Sequence, residues 1–181
     1  MTDTQWPRYE VFQQDKEGRP HRNVGSVHAV DAEMALQNAR DVFVRRPQTV
    51  NLWVVLASAV IAKSRQEIDS DPAFQEKTEY SSGSEQSFLI FRKTTHRQSM
   101  TYVSYAGKIA AASPMTALHI AVDRFGDQET YVWWVCPEEA VTVSDEQDIE
   151  SMFDQAHDKS YRMPKEYRLL SEMMQLKRES D

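Results

Sequence analysis

Apolar positions along the 181-residue chain fall into two series of the same kind. In the first, Tyr9 to Gln13 and Asn23 to Val30 are rich in β-branched and aromatic residues, and Asp15-Lys-Glu-Gly18 between them is turn chemistry, which predicts a β-hairpin. Asp31 then stands as an N-cap before Ala32, Ala35, Leu36, Ala39, Val42 and Phe43, a three-four-seven spacing that predicts one apolar helix face. Pro47 closes that helix, and Leu52 to Ile61 reads as a strand apolar on both faces, which must be covered on both sides.

The second series repeats this grammar: Phe88 to Phe91, Thr101 to Ala106, a helix capped by Ser113 with Pro114 in its first position and Ala117, Leu118, Ala121, Val122 and Phe125 on one face, then Trp133 to Cys136. Phe12 and Phe91 are 79 apart, Ala35 and Ala117 82, and Trp53 and Trp134 81. One helix per β-β-α-β unit covers only one face of a small sheet. The natural cover for the other face is the second copy, so the expectation is an α+β protein of two tandem β-β-α-β repeats packed as a pseudo-twofold internal dimer. The division falls at residues 1–80 and 81–181, with a linker near Glu79 to Glu85. Glu150 to Ala156 and Pro164 to Lys177 read as a C-terminal helical segment, its methionines packing back on the same lobe or offering a contact surface.

Composition narrows the function classes. Lys and Arg number 21 against 28 Asp and Glu, and the net charge of −7 argues against nucleic acid as a partner. The longest apolar run is far below the roughly 20 residues of a membrane span, and the amino terminus lacks the pattern of a signal peptide, so the cytoplasm is the expected location. Five scattered glycines form no dinucleotide or P-loop motif, and a single cysteine can build neither a disulfide nor a thiolate zinc cluster; no cofactor is expected.

No catalytic residue or metal ligand set emerges. Asp154 and His157 have the carboxylate-imidazole spacing of a di-iron bundle, but one pair without four long helices is insufficient. Cys136, in an apolar strand, reads as an inert core thiol, and His28 as a histidine bonded to a backbone carbonyl rather than a base. His119 has no histidine partner in the first copy, where Gln37 stands. The large aromatics Trp6, Tyr9, Phe12, Trp53, Tyr102, Tyr105, Trp133 and Trp134 suit either a core or a contact surface, with Trp6 the best placed for contact because it precedes the first strand. Arg40, Arg45 and Arg46 at the end of the first helix complement its dipole or pair with an acidic partner.

The stretch Trp6-Pro-Arg-Tyr-Glu-Val-Phe12, His21 with Val24-Gly-Ser-Val-His-Ala29, Asp31 with Met34 to Asp41, and Trp53-Val-Val55 with Ala57-Ser58 closely resembles the phenylacetate-degradation B family (PaaB). Asp158-Lys-Ser-Tyr-Arg-Met-Pro-Lys-Glu-Tyr167 resembles the tail of that family, as if a single unit had been duplicated and its second copy kept the ending. The second copy departs from the pattern, with no Gly-Ser-Val-His stretch. The resemblance implies a small non-catalytic subunit that bridges or organises a multicomponent phenylacetyl-CoA epoxidase. In such a system helical di-iron oxygenase subunits do the chemistry and a reductase delivers electrons. The partner-contact candidates are then Trp6, Tyr9, His28, Arg40, Arg45, Trp53, Tyr161 and Tyr167. The alternative is a small-ligand or acyl-CoA binding protein, or a small enzyme, using the cleft between the lobes with His28 and Arg40; a homo-oligomeric structural protein is a third reading.

Overall fold

The computed structural model describes residues 5–44, 49–75, 85–95, 103–126, 129–145 and 152–153. Strands β1 (Arg8–Gln14) and β2 (Arg22–His28) form the expected hairpin, turned through Gly18 at φ +77°, where an L side chain would be strained. Helix α1 (Ala32–Phe43) starts where Asp31 Oδ1 accepts the Met34 amide at 2.8 Å. It buries Ala35, Leu36 and Ala39 against β1 and β3 (Asn51–Leu56). Val42, assigned by spacing to that apolar face, is instead exposed in the last turn of the helix, which ends at Phe43. In the second half β5 (Gln86–Lys93), β6 (Ser104–Ala111), α4 (Pro114–Phe125) and β7 (Val132–Pro137) repeat the plan, with Ser113 Oγ accepting the Thr116 amide at 3.1 Å. Both second strands bulge at the same point, with Val24 of β2 the extra residue opposite Val11 and Phe12 and Ala106 of β6 the extra residue opposite Ile90 and Phe91.

The predicted strand over Leu52 to Ile61 is two strands. It breaks at a 3-10 turn, Ala57–Ala59, and β4 (Ile61–Ser64) leaves its own unit to pair with β7, Ile61 opposite Val135. Reciprocally, the short β8 (Val141–Val143) of the second unit pairs with β3, Trp53 opposite Val143. The result is a single antiparallel sheet of eight strands in the order β4-β7-β5-β6-β2-β1-β3-β8. That order reads the same from either end when each strand of one unit is matched with its counterpart. The halves meet at β2 and β6, where the Asn23 amide donates to the Val103 carbonyl at 2.9 Å and the Tyr105 amide to the His21 carbonyl at 2.8 Å.

Strand alternation divides the apolar residues between two faces. Val11, Leu52 and Val54 face α1, and Ile90, Ile109 and Val135 face α4. The opposite face carries a third core drawn from both units: Phe12, Val55, Leu89, Phe91, Val103 and Cys136. Here the counterparts Phe12 and Phe91 stack with centroids 4.1 Å apart, and Trp134 meets Phe12 edge-on. The space between the halves is therefore a packed core, which removes the basis for a ligand cleft built there. Beyond β4, helix α2 (Arg65–Ser70) opens with a Ser64–Glu67 capping box and seats Ile68 in the second helix-facing core; α3 (Pro72–Gln75) follows. Beyond β8, Met152 and Phe153 are helical and pack on the first helix-facing core, within the segment read as helical from Glu150 to Ala156. The segment from Pro164 to Lys177 and most of the predicted linker lie outside the described residues.

Candidate partner-docking site

Among the described residues no group of three His, Cys, Asp or Glu side chains could hold a metal ion. Asp154 and His157 lie outside them. Cys136 is buried, and desolvation pushes its thiol up to about 12, so the reactive thiolate is suppressed. Iodoacetamide at mildly alkaline pH is expected to leave Cys136 unmodified in the folded chain and to alkylate it once denaturant is added; rapid labelling of the native protein, read by intact mass, would contradict this.

His21 is buried, stacked on Trp53 at 3.5 Å, with Nε2 3.1 Å from Asn51 Oδ1. Burial outweighs the Asn51 hydrogen bond and holds its imidazole below the ordinary 6.5. The folded state thus binds its proton less readily than the unfolded chain. The stability this confers is full above the ordinary value and is lost as pH falls through the folded one. Thermal unfolding followed from about pH 7.5 to about pH 5 should show a falling midpoint whose slope is reduced in His21→Gln. An unchanged slope would show that His21 is not the group responsible.

The surface is more informative. Trp6 is 57% exposed, Val30 49% and Met34 37%. Backbone and side-chain hydrogen bonds tie the segment carrying Trp6 to the end of β2, and Val30 and Met34 follow at the β2–α1 junction. His28 Nδ1 bonds the Trp6 carbonyl at 2.7 Å, the Ala29 amide donates to the Pro7 carbonyl, and Asn38 Nδ2 donates to the His28 carbonyl at 3.1 Å. His28 is thus the satisfied histidine its strand position suggested, and its work is to pin the segment that carries Trp6. The patch belongs to one half only. By the 82-residue offset, His28, Val30 and Met34 correspond to Ala110, Ala112 and Thr116, and Asn38 to Ile120.

The other sequence candidates are not brought into this patch. Tyr9 is half-buried against the core beneath α1, and Trp53 lies on the shared inner face between His21 and Tyr105. Both are committed to packing, because their positions on β1 and β3 alternate into the two covered faces. Arg40, in the last turn of α1, pairs through Nε with Asp41 at 3.0 Å and lines a separate groove against β8 that His28 does not line. Arg45, Tyr161 and Tyr167 lie outside the described residues. Val30, Met34 and Asn38 were missed by sequence reasoning. Met34 had a signal, since it falls off the Ala35-Leu36-Ala39 stripe while standing beside the cap. Gly25 and Gly107 were also missed as a pair: a Cβ on either would lie 2.8 and 2.7 Å from the Phe43 and Phe125 ring tips respectively, so each half seats its helix on a glycine.

Comparison with known proteins bears on what such a patch serves. The sequence profile described as "Phenylacetic acid degradation B" (PaaB) matches twice, over residues 5–82 and 85–174. A protein of Escherichia coli (strain K12), named as the B subunit of 1,2-phenylacetyl-CoA epoxidase, is 49% identical over 67 residues, 37% of this chain and 70% of that relative. No solved structure matches. With the profile spanning nearly the whole chain in two successive copies, the chain belongs to the phenylacetic acid degradation B family.

Proposed function

We propose that this chain is a non-catalytic accessory subunit of a multicomponent phenylacetyl-CoA epoxidase, in which it organises helical di-iron oxygenase subunits that carry the reaction. Residues 1–80 and 81–181 act as two fused copies of one family unit, the first keeping the partner-binding face and the second completing its sheet. The observation that carries this reading is the exposure of three large apolar side chains of the first half, Trp6, Val30 and Met34, near the β2–α1 junction. The name of the Escherichia coli relative supports the choice of complex. On this reading the chain works in the cytoplasm.

The test is sedimentation of the purified chain with the oxygenase and reductase subunits encoded with it. A heavier species containing this chain is the expected result. Independent sedimentation of every component would overturn the proposal.

A further inference from the structure

The edges of the two halves meet over a short stretch. Among the described residues Arg22 of β2 and Ser104 of β6 are the pair standing opposite each other, and two backbone hydrogen bonds flank them, from the Asn23 amide to the Val103 carbonyl and from the Tyr105 amide to the His21 carbonyl. The 82-residue offset converts His21 into Val103 and Asn23 into Tyr105, so each bond is the counterpart of the other. The side chains at these matched positions differ. Val103, 1% exposed, is an apolar member of the inner core, whereas His21, 7% exposed, places an imidazole at the equivalent point. A valine is enough to pack such a position, so the histidine brings something that packing does not require.

What it brings is a titratable link between the halves. Its ring lies on Trp53 of β3 and bonds Asn51 of the same strand, and Trp53 in turn meets Tyr105 of β6 edge-on at 5.5 Å. His21 thus holds its own half by its ring and the other half by its carbonyl. The groups around it leave a positive charge there unanswered. Asn51 and Trp53 are uncharged, burial keeps the Tyr105 hydroxyl above its ordinary 10 and hence neutral, and Arg22, next along the chain, is paired with Asp15 at 2.6 Å. Among the described residues no carboxylate forms an ion pair with the imidazole. The Trp53 face offsets part of the cost of charging it, but burial dominates and weakens its hold on a proton.

We propose that His21 is a pH-sensitive latch on the seam between the halves: uncharged, it keeps β2 and β6 joined, and protonated, it leaves the Trp53 stack for solvent and the β2–β6 edge parts. This is a local, reversible opening, distinct from thermal unfolding, because His21, Asn23 and Tyr105 belong to neither helix-facing core. The sign follows from linkage. The closed seam has its full stability above the ordinary histidine value and loses it as pH falls through the lower value held in the closed state.

Native-state hydrogen exchange of the full chain, resolved by NMR and corrected for the intrinsic pH dependence of each amide, tests this. Between about pH 7.5 and about pH 5 the protection of the Asn23 and Tyr105 amides is expected to fall, while the Leu36 and Leu118 amides in α1 and α4 keep theirs. The fall should reach about tenfold for each pH unit between the ordinary histidine value and the closed-state one, since opening takes up one proton. In His21→Val, which gives the first half the residue of the second, the fall should vanish. His21→Gln, without a titrating ring, should behave likewise and serves if the valine variant does not fold. Constant protection of the seam amides in the unaltered chain, or a fall that persists in either variant, would overturn the proposal. Loss of protection in α1 and α4 together with the seam would overturn it too, because the event would then be general unfolding.

Discussion

Replacing Phe91 with alanine is expected to lower the unfolding free energy by about 3–5 kcal/mol, the range for deleting a fully buried phenylalanine, and to loosen both halves together. The ring is 1% exposed, stacks on Phe12 of the other unit and lies edge-on to Tyr105. Its removal therefore opens a void in the one core that neither unit can fill alone. The exchanged strands carry the same coupling, since β4 is held by β7 and β8 by β3. Chemical denaturation should give one transition at a lower midpoint, and native-state hydrogen exchange should show α1 and α4 losing protection by similar amounts. Loss confined to α4, with α1 unchanged, would mean that the inner core does not unite the halves.

Trp6→Ala is expected to have the second-largest effect, and in binding rather than stability. An exposed tryptophan that becomes the centre of an interface contributes about 2–4 kcal/mol on truncation, which is roughly a 30- to 1,000-fold rise in Kd. The isolated chain should barely notice, because surface substitutions away from packed features stay within about 0.5 kcal/mol and the Trp6 carbonyl that His28 bonds is backbone. Isothermal titration of the variant against the partner subunits, beside its thermal midpoint, separates the two effects. An unchanged Kd would remove Trp6 from the interface; a collapsed midpoint would make it a structural residue instead.

The sequence was most legible where local chemistry decides the outcome. Asp31 and the Ser113-Pro114 pair announce helix starts because capping involves only a few neighbouring residues. The matching burial of the two halves was legible from spacing, since Phe12 and Phe91 are both buried and α1 and α4 bury Ala35-Leu36-Ala39 and Ala117-Leu118-Ala121. The strand exchange was not legible. An apolar run such as Leu52 to Ile61 carries no mark of where it changes partner, since both parts are covered and the small residues Ala57-Ser58-Ala59 fit a turn or a strand. Val141–Val143 is too short to register as a strand, and it exists because β3 offers an edge. Gly25 leaves room for the Phe43 ring arriving from α1, which a Cβ there would meet at 2.8 Å, a tertiary cause that no local pattern encodes. The exposure of Trp6 was legible from its place before the first strand, while that of Val30 and Met34 emerges only from the way the chain turns from β2 into α1.

Together these features describe a chain that commits Phe12, Phe91, Trp53, Tyr105 and Trp134 to an inner core shared by its two halves and that, on the function proposed above, offers exposed Trp6, Val30 and Met34 to another protein. Withholding this chain from the reconstituted reaction is the most direct measurement. Oxidation of phenylacetyl-CoA by the remaining purified subunits should fall sharply without it, return in proportion to the amount added back, and return poorly with Trp6→Ala. Full activity in its absence, or turnover by this chain alone, would contradict an accessory role.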